Sequence, residues 1–244
     1  MLNVHKGKSR CKMQIYFHGH SCFEIVGNAG RIIIDPFLTG NPSATAKPED
    51  FTELDAILVS HGHSDHLGDA IQLSRQTGAP IITVFELAAY CKSMGAETHA
   101  MHIGGKHLFS FGWVKLTNAL HGSGIEDPEG DSLIYVGPPC GFLIQIEDKW
   151  LYHAGDTGLF GDMELIGRRH PLAVAMLPIG DNFVMGVEEA VHASQLLRPK
   201  VVIPMHYNTF PLIVQDIGEF EHLLQRRAPE SQLRALKPGE MFEV

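Results

Sequence analysis

The sequence predicts an α/β protein of two packed, mixed β-sheets with helices outside. Three observations carry this. Short apolar runs recur along all 244 residues, some as hairpins and some in strand–helix–strand alternation. No Ser/Gly- or Pro-rich tract, charge block or low-complexity segment divides the chain. Histidines and aspartates sit just past the carboxyl ends of several apolar runs, where irregular backbone on a rigid scaffold builds sites. With 44% hydrophobic residues the chain can bury a sizeable core.

In order, Met13 opens the chain's first strand, with strands over Gln14–Phe17, Cys22–Val26 and Arg31–Ile34. The Gly27-Asn-Ala-Gly30 turn closes the last two into a hairpin. A long loop, Pro36 to Glu53, leads to the strand Ala56–Val59 and a helix from Leu67 to Gln76. Pro80–Val84 reads as a strand and Glu86–Met94 as a helix closed by Gly95. Glu97–His99, His107–Phe109 and Val114–Asn118 are short strands. Gly122 to Pro139 is polar and rich in Gly, Asp and Pro, and reads equally as a lid or as a surface excursion. Phe142–Ile146 and Trp150–His153 form a hairpin around Glu147-Asp-Lys149. Then come a helix at Met163–Arg169, a buried strand at Leu172–Leu177, a helix at Val187–Leu197, a strand at Val201–Met205 and an amphipathic helix at Ile213–Arg227. Gln232–Leu236 and Met241–Glu243 close the chain as strands.

Residues 1–12 have basic residues but no apolar core of a signal peptide, and read as a poorly ordered extension before a single domain at 13–244. Cys11, Cys22, Cys91 and Cys140 form no C-x-x-C and no compact framework, so they read as reduced thiols in a cytoplasmic protein. Cys22 and Cys140 lie in apolar runs and are expected in the core. No run approaches 18 apolar residues, so no membrane partner is expected. A net charge of −9 disfavours a nucleic-acid partner, which needs clustered Lys and Arg. A small-molecule substrate is expected, and association into a homo-oligomer stays open.

The chemistry concentrates in His61-Gly-His63-Ser-Asp65-His66, which puts three imidazoles and a carboxylate within six residues after an apolar strand. Both groups are good ligands for Zn²⁺ and similar ions. His61 and His63 project to one side of an extended loop and can share an ion. Asp65 and His66 stand at the turn into the helix, displaced enough to hold a second. His121, Asp156 (in His153-Ala-Gly-Asp156-Thr) and His206 follow later strands.

The order H-x-H-x-D-H, His, G-D-T, His resembles the ligand pattern of the metallo-β-lactamase superfamily. Gly19-His-Ser-Cys-Phe23, Ile34-Asp-Pro-Phe-Leu-Thr-Gly-Asn-Pro42, His153-Ala-Gly-Asp-Thr-Gly-Leu-Phe160, Pro178-Ile-Gly-Asp-Asn-Phe183 and Pro204-Met-His-Tyr-Asn-Thr-Phe-Pro211 resemble its single-domain metal-dependent hydrolases, relatives of the L-ascorbate-6-phosphate lactonases. The resemblance covers Met13 to Val244 and implies a four-layer αβ/βα sandwich. It also implies an internal duplication, which the residues do not reveal. It assigns His61, His63 and His121 to a first ion, Asp65, His66 and His206 to a second, and Asp156 as the bridge. The implied cofactors are two divalent ions per chain, with Zn²⁺ leading and Mn²⁺, Fe²⁺ or Ni²⁺ as alternatives.

Two such cations carry +4, the two aspartates −2 and a bridging hydroxide −1, and the remaining positive charge suits a small anionic ester or a developing oxyanion. Asp65 and Asp156 are the candidate catalytic residues, Asp65 by orienting the nucleophile or taking its proton. The expected activity is hydrolysis of a lactone, carboxylic ester or phosphoester. A phosphodiesterase or ribonuclease-like hydrolase and a non-catalytic metal-binding protein are the alternatives. His63 stands where related flavo-diiron oxidoreductases carry Glu, and no Cys occupies a ligand position, so redox chemistry and antibiotic hydrolysis fall in rank.

Around the ligands, His20 is a candidate near the site and His18 a weaker one. His153 reads either as a partner of the metal ligands or substrate, or as structural. Asp35 reads as a buried carboxylate orienting a ligand histidine, or as a turn former. Asp181, with Asn182 and Met185-Gly186, precedes a helix whose free N–H groups could hold an anion, or is an ordinary helix start. Tyr207, Asn208 and Thr209 follow a ligand and could face substrate. His5, His99, His102, His107, His170, His192 and His222 read as surface or core residues.

Overall fold

The computed structural model describes residues 12–127 and 132–244, and most of the expected N-terminal extension lies outside them. Lys12 is the exception, and its ammonium meets Glu243 at 2.6 Å. Three strands, β1 (Gln14–Gly19), β2 (Cys22–Gly27) and β3 (Gly30–Ile34), form an antiparallel meander. β4 (Ala56–Leu58), β5 (Ile81–Val84) and β6 (Thr98–Met101) extend it in parallel. The second half repeats this plan. β7 (Lys106–Phe109), β8 (Gly112–Asn118), β11 (Cys140–Ile146) and β12 (Lys149–His153) pair antiparallel. β13 (Leu172–Pro178), β14 (Val201–Met205) and β15 (Gln232–Leu233) continue in parallel from β12. The two halves thus share a strand order of antiparallel strands followed by parallel ones. β16 (Met241–Glu243) returns to pair with β1, so the sheets have seven strands each.

Helices α2 (Ala70–Thr77) and α3 (Phe85–Ser93) pack on β4–β6, and α4 (Met163–Arg169), α5 (Val187–Leu197) and α6 (Ile217–Arg227) cover the far sheet. One cluster of buried side chains runs from Ile15, Phe23 and Ile33 to Phe142, Val174 and Val202, joining the two sheets. This is the α/β architecture of two large mixed sheets flanked by helices that the sequence predicts. Cys22, Cys91 and Cys140 are buried and unbridged. No helix among the described residues is long and apolar enough to cross a membrane.

Three elements differ from expectation. The helix read from Leu67 to Gln76 is two, α1 (Ser64–Leu67) and α2, broken at Gly68. Gly68 has φ +40°, and a Cβ there would strike Pro36 and Phe37, so the loop after β3 forces the break. Asp65 and His66 therefore lie inside a helical turn, not before one. The helix read from Ile213 starts at Ile217, where the Asp216 side chain accepts from the Gly218 N–H at 2.8 Å and fixes the N-terminus. The segment from Gly122 to Pro139 is no plain loop. It carries a two-stranded ribbon, β9 (Gly124–Glu126) and β10 (Leu133–Tyr135), with residues 128–131 outside the described set.

Candidate metal centre

The parallel strands of both sheets end at one cleft. β3 ends before Asp35, β4 before Ser60 and His61, β12 before the turn to Asp156, and β14 before His206. His121 enters three residues after β8. Outside the carboxyl ends of parallel strands, backbone leaves the sheet and side chains can converge. The local backbone is costly there. His20, Asp35 and His206 have φ of +58°, +46° and +54°, a left-handed region that side chains with a Cβ avoid. Two glycines permit close approach. A Cβ at Gly62 would run into Val136 and Ile125 of the ribbon segment, and one at Gly155, with φ +62°, would meet the Cys140 carbonyl at 2.6 Å. The residues flanked by these glycines are the candidate ligands.

The side chains fall into three overlapping groups, each with ligand atoms within 4.8 Å of one another: His61, His63 and His121; His61, His66 and Asp156; and His20, Asp65, His66 and His206. Asp156 lies between them. Its Oδ2 is 2.9 Å from His206 Nε2 and 3.6 Å from His121 Nε2, and its Oδ1 is 3.2 Å from His66 Nε2. His66 Nε2 and Asp156 Oδ1 are fully buried, face each other and yet make no hydrogen bond. Buried polar atoms are normally paired. An imidazole nitrogen and a carboxylate oxygen left this way fit a divalent cation between them.

The charge state agrees. Burial pushes His61 well below the usual imidazole value, with His66 adding to it, and burial also lowers His63 and His121. Such imidazoles are neutral and keep the lone pair a metal needs. Burial opposes the Asp156 charge, but His206 and His66 hold the carboxyl well below its usual range. Asp65 is likewise held down against burial by His66 and His20. His66 is the exception. Burial lowers it, but Asp156, Asp35 and Asp65 raise it well above its usual value, so a proton and a cation compete for its nitrogen.

Behind the groups lie their supports. Asp35 is fully buried and accepts from the Ser60 N–H at 2.7 Å, the Ser60 hydroxyl at 2.7 Å and His66 Nδ1 at 2.8 Å. Asp35 thus contacts a candidate ligand, and with φ +46° it also makes the turn after β3. Ser60, which the sequence reading passed over, also stands 2.9 Å from His61 Nδ1. His20 is buried, with Nε2 3.1 Å from Asp65 Oδ2 and Nδ1 2.9 Å from the Thr209 hydroxyl. Burial lowers its pKa to about 4, the Asp65 hydrogen bond opposing. His153 touches no ligand side chain. Its Nε2 faces the Ser21 carbonyl at 3.0 Å and its Nδ1 accepts from Gly155 N–H at 3.2 Å, which ties the Asp156 turn to the β1–β2 turn.

Three further candidates lie outside these groups. Asp181 is exposed in a tight turn, beside Gly186, and belongs to none of the groups. Tyr207 is half-buried and lines a separate cavity of about 210 Å³ with His20, Phe17 and Lys237. His20 joins that cavity to the groups, and the Thr209 hydroxyl meets its Nδ1 at 2.9 Å. His18 pairs with Glu24 at 3.0 Å, outside the cleft. Phe37, Phe183 and Phe210, which line the cleft, lie in the segments that carry the resemblance, but nothing in the sequence singled them out there.

The family model for the β-lactamase superfamily domain matches residues 14–206. The chain belongs to that superfamily. A UPF0173 metal-dependent hydrolase of Desulfitobacterium hafniense (strain Y51) is 69% identical over 234 residues, 96% of this chain and 99% of that protein. A second, from Pelotomaculum thermopropionicum, is 53% identical over 95% of this chain and 100% of its own length. Within the superfamily, the chain is thus a member of the UPF0173 metal-dependent hydrolases. Among solved structures it is similar to Igni18, a metallo hydrolase of the hyperthermophilic archaeon Ignicoccus hospitalis KIN4/I, at TM-score 0.86 and 36% identity, covering 96% of this chain and 100% of that one.

Proposed function

We propose that this β-lactamase superfamily member is a dinuclear hydrolase of small esters, a lactone, carboxylic ester or phosphoester. His61, His63 and His121 would hold one divalent ion and Asp65, His66 and His206 the other, with Asp156 shared. The observation that carries this is the convergence of these seven side chains into overlapping groups, with the buried nitrogen of His66 and oxygen of Asp156 left unpaired. Bound ions in such sites acidify water and polarise the bond under attack.

The chain's own residues do the rest. Asp156 fixes the spacing of the two groups, since each of its oxygens faces different imidazoles. Asp65 lies at the cleft mouth, its side chain 28% exposed, where it can orient an incoming nucleophile. His20 holds Oδ2 of Asp65 and is itself held by Thr209, so this carboxylate has one defined rotamer. Zn²⁺ leads as the metal, with Mn²⁺, Fe²⁺ and Ni²⁺ compatible with the same donors. The reading takes the protein as cytoplasmic, in keeping with its free buried thiols, and as acting on a small molecule without nucleic-acid or membrane partners. Elemental analysis of protein purified without added metal should give about two divalent ions per chain, and the loaded protein should hydrolyse p-nitrophenyl esters or a lactone. Absence of both retained and reconstituted metal would end the reading.

A further inference from the structure

We infer that the metal cleft selects substrates whose non-reacting part is apolar and uncharged. This rests on the hydrolase reading and names its substrate class. Two adjoining cavities open over the ligand groups. One, of about 210 Å³, is bounded by His63, His121, Asp156 and His206 on the floor and by Phe183, Phe210 and Ile213 on the walls. The other, of about 410 Å³, shares His63, Asp65 and Phe210 and adds Phe37, Leu133 and Glu126. Phe183, Phe210 and Leu133 are 54%, 38% and 68% exposed. Large apolar side chains at the edge of a polar floor are what an apolar ligand body would cover.

Charge is the second, independent observation. Neither cavity has a Lys or Arg in its lining. The described segments that supply the lining, 32–46, 59–74, 117–127, 132–139, 153–166 and 180–186, contain none, nor does 206–216. The ribbon segment instead carries Glu126, which lines the larger cavity, and Asp127 after it. Protein sites for phosphate or carboxylate groups supply Arg, Lys or a similar donor set. The described lining of these two cavities thus offers a substrate no side-chain cation beside the ions it would meet there, and a second anionic group in the larger one would face Glu126. A phosphorylated sugar or a polynucleotide is therefore a poor fit. A single ester or lactone on an alkyl or aryl body fits well.

The test uses three p-nitrophenyl esters on the metal-loaded enzyme: acetate, hexanoate, and the monoester of adipate, which has the hexanoyl length but ends in a carboxylate. Burying four more methylenes should raise kcat/KM for hexanoate about 10-fold or more over acetate, and the adipate monoester should fall at least 10-fold below hexanoate. Phe183→Ala and Phe210→Ala should each lower the hexanoate-to-acetate ratio at least 3-fold, and Phe183→Lys should narrow the hexanoate-to-adipate gap. A flat chain-length series, an adipate preference, or ratios unmoved by all three variants would overturn the inference while leaving the hydrolase reading standing. If no ester is turned over, that reading fails by itself, and calorimetric binding of hexanoate against adipate to the zinc-loaded protein still decides this one. Should light scattering show a dimer that Phe183→Lys dissociates, the rim is an interface between copies and the inference is wrong.

Discussion

The two histidine groups of the cleft are built differently. In the group of His20, Asp65, His66 and His206, the imidazoles are buried and mostly braced: His66 by Asp35, His20 by Thr209, and Asp65 by His20. In the group of His61, His63 and His121, among the described residues only His61 has an orienting partner outside the groups, the hydroxyl of Ser60. His63 and His121 are half-buried and hold each other by ring contacts at 5.1 Å, while His61 Nε2 and His63 Nδ1 face one another at 2.9 Å. On the dinuclear reading, the first group would be in place before an ion arrives and the second would be assembled by the ion. Preorganised ligands cost less to order, so the two should differ in affinity.

The comparison breaks first at the residue the groups share. Asp156→Ala should remove both ions and lower activity by more than the roughly 100-fold that marks loss of an outer partner, because each oxygen faces a different set of imidazoles. Elemental analysis beside kinetics checks this, and a variant with full turnover would place the site elsewhere. Next in size is His121→Ala. It should empty the weaker subsite and leave close to one ion per chain, with activity largely lost. Retention of two ions, or loss of both, would show that the groups are equivalent. Asp35→Ala comes third. It should weaken the braced subsite about 10–100-fold by calorimetric metal titration, and Asp35→Asn, which keeps the shape, should separate lost charge from lost packing. If Asp35→Ala instead weakens the His61 group, the contrast between the two subsites is false.

The candidate ligands were legible because H-x-H-x-D-H is local, and because the later three each stand within three residues of a strand's end. The braces were not. Thr209 meets His20 across 189 residues of chain, and Asp35 meets His66 across 31. Asp35, between a strand and a proline, and His20, in the motif Gly19–Phe23, gave a hint, but not of which residues they meet. The fold class was legible from hairpins and strand–helix–strand units, while the break at Gly68 was not, since its cause is the backbone at Pro36. The ribbon after His121 was missed because Leu133, Ile134 and Tyr135 are exposed and flanked by Gly, Asp and Pro, so neither burial nor periodicity marks them.

A third buried histidine–carboxylate pair tests whether bracing at the site is special or simply how this fold handles polar groups. His18 Nε2 and Glu24 Oε2 are 3.0 Å apart, and Arg31 Nε meets Glu24 Oε1 at 2.5 Å, with no ligand group attached. Burial resists the Glu24 charge, but hydrogen bonds from His18 and Arg31 hold the carboxyl below its ordinary 4.5. A carboxyl depressed on folding stabilises the protein fully above its unfolded value, and that stability is lost as pH falls through the folded value. Glu24→Gln should therefore cost about 1–3 kcal/mol at pH 7, a few degrees of Tm. The Tm gap to wild type should hold down to about pH 5 and narrow below about pH 4. Both proteins are best compared after chelation, so that acid release of metal does not enter. Metal content at pH 7 should be unchanged in the variant, unlike Asp35→Ala. A gap that stays constant to pH 3 would show that the Glu24 charge contributes nothing, and loss of metal with Glu24→Gln would show that the pair belongs to the centre after all.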